Sequence, residues 1–305
     1  QVRCQTPYIW LPWTAVPDPI VANARPASTV LVLRDSAAGP EVFMVRRHES
    51  TAFMGGAHVF PGGRVDAADG NADDSWCDGI AHAARQLENL PRDEAIAYHV
   101  AAARELFEEA GVLLARHPHG DFVSLAGAAD HERLKQDRPR VHEAQTTLRA
   151  VVEREQLHLA LDALVLFSHW VTPPIDSRQF DTRFFMTRVP PDQAPAHDET
   201  ETTHSLWARP TDAIAQAARD EIVLPPPTWS TLRELEPFES VKDAQAWARR
   251  RTVVRRMPKA IEQDGHRMLL MPGDPLHPDP GGDDPPLETR FVLIDRRWRA
   301  ERPPT

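Results

Sequence analysis

Cysteine is almost missing from this chain of 305 residues: Cys4 and Cys77 stand alone and far apart. Two such residues form neither a disulfide framework nor the paired spacing of a zinc site. A reducing, cytoplasmic setting is therefore the expectation. Lysine is nearly missing too, with three against 32 arginines. Positive charge consequently sits on planar guanidinium groups, which grip phosphate and carboxylate with two parallel bonds. The net charge of −10 excludes broad attraction to nucleic acid or to an anionic membrane. An anionic ligand would have to be met by local positive charge. No apolar run reaches the ~18 residues of a membrane span. The early apolar stretch is broken by Pro7, Pro12, Pro17 and Pro19 and has no basic region before it, so a signal peptide is not expected. The last residues, Arg302-Pro303-Pro304-Thr305, are not a Ser-Lys-Leu-type peroxisomal address. No internal repeat is visible.

What is present begins with Arg104-Glu105-Leu106-Phe107-Glu108-Glu109-Ala110-Gly111-Val112. Helical spacing puts Glu105, Glu108 and Glu109 on one face, where like charges repel. A hard divalent cation relieves that repulsion, because carboxylate oxygens are what Mg²⁺ and Mn²⁺ prefer. A solvated acidic face is the plainer reading of the same residues. Arg104, one turn before the cluster, can pair with a carboxylate, and Gly111 is a C-cap glycine. Upstream, Phe60-Pro61-Gly62-Gly63 reads as a strand end followed by a tight turn that brings bare backbone close to its neighbours.

The two pieces together resemble the Nudix hydrolase box, G-x5-E-x7-R-E-U-x-E-E-x-G-U, with U a bulky aliphatic residue. Gly63, Arg104, Glu105, Leu106, Glu108, Glu109, Gly111 and Val112 occupy its positions in order. Two departures stand out. Asp69 replaces the first glutamate, and 34 residues separate it from Arg104 where the box has seven, an insertion of 27. A split box of this kind is similar to the branch containing the peroxisomal coenzyme A diphosphatases and their bacterial relatives. Phe53-Met54-Gly55-Gly56-Ala57-His58-Val59, His169-Trp170-Val171-Thr172-Pro173, His197-Asp198-Glu199-Thr200-Glu201, Trp207 and Leu224-Pro225-Pro226-Pro227-Thr228 resemble that branch's other landmarks. The coenzyme A pattern of this group, L-L-T-x-R-S-x3-R-x3-G-x3-F-P-G-G, is met at Arg47, Gly56 and residues 60–63. It is not met at His48 and Ala52, which stand at its serine and second arginine.

The resemblance implies an α/β (α+β) fold: an α/β/α sandwich around a mixed sheet, with helical insertions near 70–92 and 130–158 and a C-terminal β extension. Residues 1–250 would form the hydrolase domain. Residues 251–305 would pack on the same domain or at a homodimer contact. The resemblance also implies metal-dependent hydrolysis of a phosphoanhydride in a nucleoside diphosphate derivative, with Mg²⁺ or Mn²⁺. The leading substrate is coenzyme A or acyl-coenzyme A, cleaved to 3′,5′-ADP and (acyl-)phosphopantetheine. The alternatives are an ADP-ribose or NADH diphosphatase and a non-catalytic nucleotide sensor on the same fold. Glu105, Glu108 and Glu109 would hold the cation, with a backbone carbonyl at Gly62 or Gly63 as a further ligand. Arg104 would orient the glutamates. The general base would be Glu105, or Glu199 or Glu201 on a later loop, with Glu201 favoured by its spacing to Trp207. Arg46, Arg47, Arg64 and Arg183 are the phosphate-binding candidates.

Periodicity predicts a hairpin of strands at 28–34 and 41–47, and helices at 79–89 and from Asp93 onward. It predicts strands at 163–171, 180–188 and 205–207, and helices at 210–221, 228–235 and 241–250. In the main helix Ile96, Val100, Ala103, Phe107 and Ala110 are expected to be the buried face. The segment 130–158, interrupted by Pro139, is expected on the outside. Two further strands are expected at 267–271 and 290–294. His58, His169, His197 and His204 fit no zinc spacing and are read as structural. Trp170 and Phe185 are read as core, with adenine stacking as the alternative.

Overall fold

A computed structural model of the chain describes residues 24–49, 54–174, 178–198, 201–281, 287–295 and 297–303. Glu199, Ala52, Phe53, Cys4 and the N-terminal prolines lie outside them.

The chain enters a central sheet with β1 (Arg25–Ser36) and β2 (Gly39–Arg47), joined as an antiparallel hairpin that aligns Leu33 with Val42. The short strands β3 (His58–Val59) and β4 (Gly62–Arg64) add to β2 and β1. The insertion follows, with helix α1 (Ile80–Gln86), and then the long helix α2 (Arg92–Ala110). Helices α3 (Ala128–His142) and α4 (Leu148–Arg154) come next. The pieces β5 (Cys77–Asp78), β6 (Ala115–Arg116) and β7 (His158–Ala160) form a small satellite sheet. The chain then returns to the central sheet with β8 (Val165–Val171), β9 (Phe180–Arg188) and β10 (Thr202–Ala208). Helices α5 (Pro210–Ala218), α6 (Pro226–Leu235) and α7 (Val241–Ala248) cover its second face, and β11 (Arg255–Arg256) closes its edge. A last sheet holds β12 (Lys259–Gln263), β13 (His266–Leu270), β14 (Arg290–Ile294) and β15 (Arg297–Glu301).

The central sheet runs β10-β2-β1-β9-β8-β11. It is mixed: β1 lies parallel to β9 and antiparallel to β2, and β8 is antiparallel to β9. Period-two alternation splits the hydrophobic residues of β1 between two layers. Val30 and Val32 pack with Phe43, Tyr98, Ala102, Leu106 and Phe185 against α2. Leu31 and Leu33 pack with Val42, Met44 and helices α5 to α7 on the other side. This is the expected α/β/α sandwich.

Helix α2 departs from the expected single buried stripe. Ile96, Val100, Ala103 and Phe107 are indeed buried, but against α1, α4 and the satellite sheet. The face turned to the central sheet is Ala95, Tyr98, Ala102, Leu106 and Ala110. A helix buried on both sides carries two apolar stripes, and the sequence spacing of either looks like a complete solution. Pro139 also behaves differently from expectation. It lies inside α3, which continues one more turn and so delivers His142 at its end.

The C-terminal sheet has strands that the apolar pattern did not reveal, β12 and β15, because polar and charged residues interrupt any apolar run in them. Leu269, Met271 and Phe291 join the same hydrophobic cluster as Leu31 and Leu33, and the Phe291 ring meets Trp229 edge-on at 5.5 Å. Asp274 is buried and accepts from Arg290 Nε at 2.7 Å, Arg290 Nη2 at 3.1 Å and Thr289 Oγ1 at 2.9 Å. Burial would raise its carboxyl, yet Arg290 and these donors outweigh burial and hold it below its usual value. A depressed carboxyl stabilises the fold above its unfolded value near pH 4 and loses that contribution as pH falls through the lower folded value. Asp274→Ala is expected to destabilise the protein by about 3–5 kcal/mol, read from urea unfolding at neutral pH. The gap between wild type and variant should narrow as the pH falls below about 4.

Candidate active site

The site is assembled at the C-terminal end of α2, where Gly111 stops the helix with a left-handed backbone (φ 67°) and its N–H donates to Phe107 O at 3.0 Å. Acidic residues are poorly placed there, because the helix dipole already makes that end negative. Two arginines offset the charge. Arg138 on α3 donates to the backbone carbonyl of Glu108 at 2.8 Å and to that of Ala196 at 2.8 Å, tying the helix end to the 196–198 loop. Arg104 is more central. Its Nη1 donates to Glu105 Oε1 at 2.8 Å and Glu108 Oε1 at 3.1 Å, while Nε and Nη2 each reach an Asp69 oxygen at 3.1 Å. Nη2 also reaches the Arg64 carbonyl at 2.7 Å. Burial alone would make the guanidinium easier to deprotonate, but Asp69 and the glutamates raise it further.

Asp69 is the anchor of Arg104. It is buried, accepts the Asp66 N–H at 2.8 Å, and fixes Arg104 from the side opposite the glutamates. A shorter carboxylate suffices because the helical turn Ala67–Gly70 carries it in.

Gly62 and Gly63 differ from the expected tight turn. They form β4 and pair with Thr29 and Ser28 of β1. Glycine is required for closeness, not for an unusual backbone angle. A Cβ at Gly62 would stand 2.3 Å from Ser28 O, and one at Gly63 would stand 2.6 Å from the Glu105 carboxylate. This proximity lets the Gly62 N–H donate to Glu109 Oε2 at 2.9 Å.

The carboxylates are short of positive charge. Glu105 is pushed up to about 7, by burial first and then by Glu108 and Glu201, against the pull of Arg104. Glu109 is raised well above its ordinary value by burial and by Glu105, with the Gly62 N–H and Arg47 opposing. Hard oxygen donors with an uncompensated negative charge match a divalent cation in donor chemistry. Among the described residues no three carboxylate, imidazole or thiolate groups are yet gathered around one point. Arg104 and the Gly62 N–H engage the glutamates instead.

A cleft of about 1010 Å³ opens over this end of the helix. Glu105, Glu108, Gly62, Gly63, Arg47, Arg64 and Glu201 all line it. The remaining arginine candidates do not. Arg46 follows the alternation of β2 away from Arg47 and pairs with Glu49 at 2.8 Å. Arg183 is also placed away from the cleft. Thr182 and Phe184 of β9 face the cleft, so Arg183 between them faces the other way, buried, paired with Asp181 and 5.1 Å over the Tyr98 ring. Arg47 Nε is buried and has no hydrogen-bond partner among the described residues, an exception to the usual pairing of buried polar groups.

His142 is the residue that sequence reasoning missed. It lines the cleft with Nδ1 3.3 Å from Glu108 Oε2 and Nε2 3.7 Å from Glu201 Oε1, and so links the box to the later loop. Its segment, 130–158, was expected outside. No local pattern marks it, because the link spans 34 residues. Of the other histidines, His58 is lowered to about 4, chiefly by burial, and His169 bonds Asp181 at 2.6 Å. Phe185 is core, 4.5 Å from the His99 ring, whereas Trp170 lines the cleft.

The family model described as the NUDT19 Nudix domain matches residues 80–235. The human protein named acyl-coenzyme A diphosphatase NUDT19 is 30% identical over 285 residues, covering 79% of this chain and 73% of that one. Its Gallus gallus counterpart is 28% identical over 313 residues, covering 86% and 82%. The crystal structure of a Nudix hydrolase from Alicyclobacillus acidocaldarius superposes with a TM-score of 0.60 at 26% identity, over 73% of this chain and 96% of that one. The chain belongs to the Nudix hydrolases, and within them to the NUDT19 branch. It is an enzyme of that class. No helix among the described residues is long and apolar enough to cross a membrane.

The two glycines separate by test. Gly62→Ala forces backbone apart and is expected to destabilise by about 1–3 kcal/mol, seen as a lower thermal midpoint. Gly63→Ala meets only a side chain, so its midpoint should stay near wild type while hydrolytic activity falls through displacement of Glu105.

Proposed function

We propose that the protein is a divalent-cation-dependent diphosphatase acting on acyl-coenzyme A or coenzyme A, releasing 3′,5′-ADP and (acyl-)phosphopantetheine. The carrying observation is that Glu105 and Glu108 open on one cleft with Arg47, whose Nε has no hydrogen-bond partner among the described residues, while Glu109 is buried directly behind them. The likeness to proteins named acyl-coenzyme A diphosphatases supports the substrate. So does the cleft, which is at the large end for a ligand site and suits an extended molecule.

Glu105, Glu108 and Glu109 are the residues that would hold the cation. When bound, a divalent cation neutralises phosphoryl charge and lowers the pKa of a water molecule. The chain's own residues do the rest. Arg104, fixed by Asp69, keeps Glu105 and Glu108 at the mouth of the cleft. Arg47 and Arg64 grip the diphosphate oxygens, and forked guanidinium groups suit that geometry. Water attacks one phosphorus, the bond from that phosphorus to the bridging oxygen breaks, and the bridging oxygen leaves with the other phosphate. Glu201, connected through His142 to Glu108, takes the proton from the attacking water.

A product-resolved assay over coenzyme A, acyl-coenzyme A, NADH and ADP-ribose, with Mg²⁺, Mn²⁺ or chelator, tests this. Cation-dependent 3′,5′-ADP is expected, and its absence with all cations sinks the substrate assignment. Glu109→Gln should lower kcat at least about a hundredfold. Its thermal midpoint in chelator should not fall, because the variant removes a buried, poorly compensated charge. Retained turnover in this variant would refute the role given to Glu109.

A further inference from the structure

We infer that the C-terminal sheet forms a specificity wall of the substrate cleft, taking the pantetheine and acyl arm of the substrate. The inference rests on the coenzyme A reading above and goes beyond it by assigning a binding subsite to residues 259–301. The cleft that begins at the glutamates continues to this sheet, and Ala260, Glu262, Arg267, Leu269, Leu293 and Trp298 line it there.

Strand register shows why these six residues act together. Ala260 pairs with Leu269, Leu269 with Phe291, and Phe291 with Ala300. Glu262 and Arg267 are a register pair, as are Leu293 and Trp298. Each stands two residues along its own strand from the first rung, so both rungs share one face. The first rung rests on the main core, where Leu269 and Phe291 are buried. The second rung lies at the margin of the core, with Trp298 packed against it, Leu293 half-buried, and Glu262 and Arg267 exposed. One sheet face therefore serves both as core and as cleft wall, with the second rung the more open of the two.

The chemistry of this wall differs from that near the glutamates. Arg47, Arg64 and Arg104 gather positive charge at the diphosphate end. The second rung carries one carboxylate, one guanidinium and two apolar side chains, so its formal charge cancels. Glu262 there repels a ribose phosphate, while Leu293, Leu269 and Trp298 offer apolar contact. Met268 and Trp170 also line this cleft. A four-stranded rung extends roughly 14 Å at ~4.8 Å per strand, a length that fits an extended chain rather than a compact base. The pantetheine arm, with amides and an apolar acyl end, fits that strip.

Leu293→Ala and Leu293→Glu test the wall in the full chain, with thermal unfolding recorded to confirm folding. The KM for octanoyl-coenzyme A should rise, by about tenfold for the charged variant. The inhibition constant of 3′,5′-ADP, which lacks the arm, should remain unchanged. No effect on either quantity, or an equal rise in both, overturns the wall assignment alone. If the wild type releases no 3′,5′-ADP from any acyl-coenzyme A, the parent reading fails, and that result is read before any variant is made.

Discussion

Arg104 is the constraint on which the site depends. A single guanidinium gathers Asp69, Glu105, Glu108 and the Arg64 carbonyl. Without it, Glu105 and Glu108 would lose the guanidinium that bonds both carboxylates at the negative end of a helix dipole. The fork geometry matters as much as the charge. Asp69 binds one part of the group and the glutamates another, so Arg104 ties the helical turn Ala67–Gly70 to the glutamates. A lysine carries the charge but not the planar fork.

Around that centre the molecule uses each layer twice. Helix α2 buries one stripe against the sheet and another against the insertions, and its last two turns carry Arg104, Glu105, Glu108 and Glu109. The C-terminal sheet buries one rung in the core and turns the next toward the cleft. The second insertion, which follows the motif, supplies Arg138 and His142. Double use explains why a long insertion inside the motif is tolerated: it covers an apolar helix face that would otherwise meet water.

The motif was readable because helical spacing and glycine are local signals. Glu105, Glu108 and Glu109 share a face by their separations alone, and the hairpin at Arg25–Arg47 follows from alternation and its turn. The arginines were not equally readable. Arg46 and Arg47 are adjacent, as are Thr182 and Arg183. Only the strand's phase against its neighbours decides which of each pair meets the cleft. Arg183 ended on the buried side because Tyr98 of α2 receives it there.

Taken alone, the sequence determined the acidic face of the main helix, because helical spacing is a local signal, and its resemblance to the Nudix box carried the class of fold and of enzyme. Tertiary structure alone decided that Gly62 and Gly63 are a strand held close to Ser28 and Glu105, and that Asp69 reaches Arg104 across 35 residues. It also decided that His142 and the C-terminal rung of Leu293 and Trp298 face the cleft. These are contacts between segments distant along the chain, fixed by how layers pack, and no local pattern encodes them.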